Sequence, residues 1–112
     1  MFNVTPEIYG QLLEQIESAV EGQWDPDYRD PDTVKGEAEV EVGDYLCTLS
    51  FSAYPSYRYE EINPGLYAPY DSQFGWVLTR ISIDCDEFTV TDEDGNELEN
   101  DFSADEVKEI TY

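Results

Sequence analysis

The side chains in this chain that are able to do chemistry are almost all carboxylates. There are 27 Asp and Glu, 5 Lys and Arg, and no His, for a net charge of −22. A pair of carboxylates performs acid–base chemistry only when a cleft holds the two at a set separation. A chain of 112 residues rarely frames such a cleft, and its acids are too numerous for any one pair to stand out. Without His there is no Ser–His or Cys–His nucleophile. Cys47 and Cys85 have no basic sequence neighbour to stabilise a thiolate. The expectation is a protein that is not an enzyme, with no catalytic residues and no cofactor.

Metal chemistry needs ligands at fixed spacing. The run DEDGNELEND, Asp92–Asp101, partly matches a calcium loop. Aligned on Gly95, it places Asp92 and Asp94 at ligand positions, but Val90 where the first Asp belongs and Asp101 where a bidentate Glu belongs. An Asp-Gly hairpin turn accounts for it better. Asp25, Asp27, Asp30 and Asp32 flank two Asp-Pro steps that read as turns. Zinc is excluded by the lack of His and the distance between the two Cys. No metal site is expected.

The distribution of charge is more specific. Residues 84–109 hold half of the net charge, with Lys108 as their single base. Glu37, Glu39 and Glu41 alternate with Ala38, Val40 and Val42, so on a strand they point the same way. Residues i and i+2 on a strand lie roughly 6.6–6.8 Å apart, close to the rise of two phosphate steps on one DNA strand. Such a row can stand in for phosphates. It can also be a solvated face that protects a sheet edge. Solubility alone needs a net charge of only roughly 2–8 in magnitude, and the surplus costs stability through self-repulsion. The surplus therefore implies a basic partner or a high-salt habitat. Direct nucleic-acid binding is excluded by the scarcity of Lys and Arg, and anionic membrane surfaces are disfavoured for the same reason.

Five of the nine Tyr, namely Tyr54, Tyr57, Tyr59, Tyr67 and Tyr70, fall in one stretch that continues to Phe74 and Trp76. Tyr offers a large contact area for little entropy loss. The stretch serves either as a lid over the core or as a partner-binding surface.

The elements that position these residues follow from periodicity. Ile8, Leu12, Leu13, Ile16, Ala19 and Val20 predict a helix over 6–21, capped by Thr5, opened by Pro6 and stopped by Gly22. Residues 23–33 read as loop. Residues 34–42 and 45–53 predict a hairpin around Gly43-Asp44, pairing Val42 with Tyr45, Val40 with Cys47, Ala38 with Leu49 and Gly36 with Phe51. Residues 54–75, rich in Pro and Gly, read as a long loop. A third strand over 76–85 puts Val77, Thr79, Ile81, Ile83 and Cys85 on one face. Asp86-Glu87 turns into a fourth strand at 88–91, and 96–99 forms a short edge strand. Ser103 and Glu106 form a capping box, with Phe102 and Val107 as a hydrophobic staple, for a short helix over 104–110. The fold class is α+β: one domain over 1–112, with an antiparallel sheet of four to five strands (hairpin plus meander). The N-terminal helix packs on one face of that sheet and a short helix closes the chain.

No apolar run reaches the roughly 20 residues of a membrane span. The start, MFNVTPEIYG, lacks the pattern of a signal peptide. A cytoplasmic protein with two reduced thiols is expected. In composition and size alone the chain resembles the acidic DNA-mimic inhibitors carried by phages and mobile elements, and that likeness carries over no residues.

The leading expectation is a non-catalytic acidic interaction protein that inhibits a basic, nucleic-acid-binding protein partner. Glu37, Glu39, Glu41, Asp92 and Asp94 would supply charge, and Tyr54, Tyr57, Tyr59, Tyr67 and Tyr70 would supply anchoring. The alternative is a small-ligand or cation-binding module with the Tyr-rich 54–75 segment as its lid. A third reading treats the acidity as adaptation to salt.

Overall fold

The computed structural model describes residues 1–25, 27–29, 31–63 and 73–112. Helix α1 spans Pro6–Glu21. Thr5 is extended, and its hydroxyl accepts the Ile8 N–H at 3.4 Å. Ile8, Leu12, Ile16 and Val20, four apart in sequence, are buried, each contributing roughly 1.5–3 kcal/mol of transfer free energy. Gly22 stops the helix as expected, and does so in right-handed backbone with φ −64°. The Gln23 N–H bonds Val20 O and the Trp24 N–H bonds Glu21 O, so tightening turns take up the last carbonyls and no left-handed residue is needed.

Strand β1, Val34–Val42, pairs with β2, Tyr45–Asn63, in the register the alternation demands: Val42 with Tyr45, Val40 with Cys47, Ala38 with Leu49 and Gly36 with Phe51. Gly43 alone in the turn has positive φ, 60°, the mark of a type II′ turn with Gly first.

The segment expected as a long loop over 54–75 is mostly strand. β2 runs on to Asn63, and β3 spans Gln73–Thr91. The prolines misled for a physical reason. β1 ends opposite Ala53, so Pro55 lies where β2 is an edge strand, and a missing N–H can be tolerated there. Tyr54, Tyr57 and Tyr59 supply β-propensity. Nineteen residues per strand at roughly 3.3 Å each make a ribbon of about 60 Å. The molecule measures 60 × 23 × 21 Å, with a radius of gyration of 17.8 Å, against roughly 13 Å for a compact chain of this length. A two-stranded arm extends from the body.

The turn expected at Asp86-Glu87 is instead a β-bulge. Ser50 pairs with Glu87 and Phe51 with Cys85, leaving Asp86 as the extra residue. The expected third and fourth strands are therefore one. The bulge shifts the alternation, so Ile81, Ile83, Cys85, Phe88 and Val90 all face the helix side. A second bulge at Thr79, between the Ser56–Arg80 and Tyr57–Leu78 pairs, puts Leu78 on that side in place of the expected Val77 and Thr79.

Strand β4, Glu97–Leu98, pairs with β3 at Val90 and Thr91. The closing helix is only a 3-10 turn, Ala104–Val107, and Ser103 makes no side-chain cap. The Ser103 N–H, which a capping-box Glu106 would accept, donates to Tyr9 Oη at 2.9 Å. Phe102 stacks on Phe88 at 4.2 Å between ring centroids, and Val107 is fully buried. Residues Glu109–Thr111 form strand β5 on the free edge of β3, opposite Arg80, Ile81 and Ser82. The result is α+β: a five-stranded antiparallel sheet in the order β1-β2-β3-β4, with β5 also on β3 and α1 packed on one face.

Among the described residues no helix is long and apolar enough to cross a membrane.

Candidate functional site

The sheet face opposite α1 is open, and register decides what stands on it. From β1 come Glu37, Glu39 and Glu41, all exposed. Their partners on β2 are Ser50, Thr48 and Leu46. Those in turn face Glu87, Thr89 and Thr91 on β3, and Ser52 faces Asp84. The bulge residue Asp86 joins them, because its Oδ2 accepts the Ser52 hydroxyl at 3.2 Å. Two rows of carboxylates, Glu37/Glu39/Glu41 and Asp84/Asp86/Glu87, thus flank a central strip of three hydroxyls, Ser52, Ser50 and Thr48, with Leu46 at its end. One strand lies between the rows, so their backbones are about 10 Å apart. Lys35 stands at one end of the first row, and Arg80 lies beyond the second. None of the six acids has an ion-pair partner among the described residues, where the salt bridge is Arg58 with Glu60 on the arm.

The first row is held by the helix behind it. Gln15 Nε2 donates to Glu39 O at 2.5 Å, and Gln15 Oε1 accepts the Glu39 N–H at 2.9 Å. A side-chain amide thus fills the place of a neighbouring strand at the free edge of β1.

Asp92 and Asp94 lie past the end of this face, in the β3–β4 turn. Asp92 Oδ1 accepts the N–H groups of Asp94 at 3.0 Å and Asn96 at 2.9 Å, and Oδ2 accepts Asn96 Nδ2 at 3.3 Å. The Asn96 amide above all holds the Asp92 carboxyl below its ordinary range. Its lone pairs are spent on shaping a turn in which Gly95 has φ 85°. Among the described residues no cluster of three or more potential ligands could hold a metal. At the other Asp-rich segment, Asp25 Oδ1 accepts the Asp27 N–H at 2.9 Å, again a local turn.

The tyrosines divide between the two faces. Tyr54, 40% exposed, stands on the acidic face opposite Ser82. Tyr57 and Tyr59 continue the helix-side face along the arm. The Tyr57 hydroxyl donates to Pro31 O at 2.6 Å. Tyr59, 58% exposed, lies 5.2 Å from Trp76 and 6.1 Å from Phe74 between ring centroids. The segment after α1 crosses this row: Trp24 Nε1 donates to Trp76 O at 2.9 Å, and the Arg29 guanidinium sits 5.2 Å from the Trp76 ring centre. Tyr67 and Tyr70 lie outside the described residues. Among the described residues, only Tyr54 of the aromatic stretch therefore shares a surface with the acidic row.

Both cysteines are free thiols. Burial pushes the Cys47 thiol up; burial, with help from Asp84 and Asp86, does the same for Cys85.

Sequence reasoning included Asp84, Asp86 and Glu87 only as part of an acidic stretch. Asp84 alternates with Ile83 and Cys85 and so takes this face by strand periodicity, but Glu87 joins it only through the bulge at Asp86, which no turn residue announces. No family model, curated protein or solved structure matches the chain.

Proposed function

We propose that this protein is a non-catalytic binder of a basic, nucleic-acid-binding protein and that it occupies that partner's polyanion site with its open sheet face. The observation that supports this reading is the double row of carboxylates across β1 and β3, without ion-pair partners among the described residues and separated by Ser52, Ser50 and Thr48. A rigid sheet presents these charges without the side-chain ordering that a flexible acidic tail would require on binding. An open face with hydroxyls at its centre admits a broad basic surface, whereas catalysis calls for an enclosed site.

Against the alternative of a ligand module with a lid over 54–75, residues 54–61 and 73–75 are paired strand, while 64–72 lie outside the described residues. The test is to compare the wild type with the Glu37→Lys/Glu39→Lys/Glu41→Lys and Asp84→Lys/Glu87→Lys variants as bait for DNA-binding proteins. Either set should abolish capture while the cooperative melt survives. Unchanged capture by both variants would refute the reading.

A further inference from the structure

We infer that a cleft at the C-terminal end of α1 binds an organic cation the size of an amino-acid side chain, of the arginine or lysine type. The cleft encloses about 380 Å³ and is lined by Glu21, Trp24, Val77, Leu78 and Tyr112, a volume in the range of small-ligand sites. Its position follows from three separate contacts. Trp24 is pinned across β3 by its indole bond to Trp76 O. Tyr112 is placed by its N–H, which bonds Thr79 O at 3.0 Å beyond the β5 pairing. Leu78 reaches the cleft because the Thr79 bulge turned it to this side.

The floor is the Leu78 side chain, apolar and suited to an alkyl stem; Val77, the next residue of the strand, turns its side chain to the other face. The walls are two aromatic side chains, Trp24 at 37% and Tyr112 at 53% exposure, whose rings attract a cation. The rim is negative from two sources. Glu21 Oε1 lies 3.5 Å from the Tyr112 hydroxyl. The helix terminus adds its dipole, since the last turn of α1 carries no base. Burial first, then the neighbouring Glu17 and Glu21 carboxylates, push the Tyr112 phenol well above its ordinary value. Tyr112 thus stays a neutral donor to those carboxylates rather than an anion. The chain also displays the same chemistry elsewhere: Arg29 is seated over Trp76. Among the described residues no base of the chain occupies Trp24.

This site lies on the helix side of the sheet and does not depend on the acidic face. It is tested on the full chain by NMR titration at fixed ionic strength with N-acetyl-arginine amide, agmatine and neutral N-acetyl-norleucine amide. Saturable shifts confined to Glu21, Trp24, Val77, Leu78 and Tyr112 are expected for the two cations, with a dissociation constant of about millimolar. Glu21→Gln, an exposed and conservative change, should weaken binding roughly fivefold, and Glu17→Gln/Glu21→Gln further. Because agmatine carries a second positive charge, binding of N-acetyl-arginine amide as tight as or tighter than agmatine would identify a peptide-borne residue as the ligand, and much tighter agmatine binding a free cation. The Glu37→Lys/Glu39→Lys/Glu41→Lys variant should bind both unchanged, which separates this site from the sheet-face reading. Equal binding of the norleucine compound, insensitivity to Glu21→Gln, or shifts spread over all acidic surfaces would overturn the inference.

Discussion

Gln15 and Glu39 meet through two hydrogen bonds, the side-chain amide of one against the backbone of the other, at 2.5 and 2.9 Å. This contact shows which way β1 faces. Because Glu39 turns its N–H and C=O outward, Thr48 opposite it bonds toward β3, and the odd-numbered residues of β1 hold their carboxylates on the open face. The residue that closes the sheet edge thus also sets the attitude of the acidic row.

Gln15→Ala should remove both bonds and leave the edge groups to water. A loss of about 1 kcal/mol is expected, with a fall of a few degrees in Tm. Hydrogen exchange should quicken at the Glu39 amide and not at Val40, which bonds into the sheet. An unaltered Glu39 exchange rate would show that the amide does not guard this edge.

Asp86 is an inserted residue rather than half of a turn. Its deletion leaves Cys85 opposite Phe51 and Glu87 opposite Ser50, in regular alternation. The deletion variant should therefore fold with a cooperative melt and the same cross-strand contacts. A chain that cannot fold without Asp86 would mean the bend itself is indispensable.

What was legible in the sequence is what local pattern decides. The 34–53 hairpin register was readable to the residue, because strict alternation and Gly43-Asp44 agree. So was the buried stripe of α1. What escaped was decided by neighbours. Pro55 is tolerated because β1 has ended by that point. Residues 109–111 become strand because β3 has a free edge there and Tyr9 takes the donor that a capping box needs. The bulge at Thr79 reverses the parity of β3, so Leu78 takes the helix-side place that alternation gives to Val77 and Thr79. For the site, the Glu37–Glu41 row could be read from alternation. Of the second row only Asp84 could, since Glu87 reaches that face through an unmarked extra residue.

The cysteines give a pH signature. Burial raises both thiols in the folded state, so their contribution to stability is fully present below the unfolded thiol value and is lost as pH rises through the folded one. Tm should decline above about pH 8.5, and Cys47→Ala/Cys85→Ala should flatten that decline. Thiol titration should find two slow groups in the native protein and two fast ones after denaturation.

Self-repulsion at a net charge of −22 should make the fold salt-dependent. Raising sodium chloride from about 0.01 to 0.15 M shortens the Debye length from roughly 30 to 8 Å and should raise Tm at pH 7. A Tm that is flat or falls over that range would mean the carboxylates are too well spaced to repel.

The central claim is that the open sheet face replaces a polyanion. The direct measurement is equilibrium binding of the chain to a captured DNA-binding partner, with duplex DNA as competitor, across a salt series. The account predicts full competition by DNA and an affinity that falls steeply and linearly in log–log with salt. It also predicts that this slope is markedly reduced in the Glu37→Lys/Glu39→Lys/Glu41→Lys variant. Binding that DNA does not displace, with a salt slope that the triple variant leaves unaltered, would contradict it.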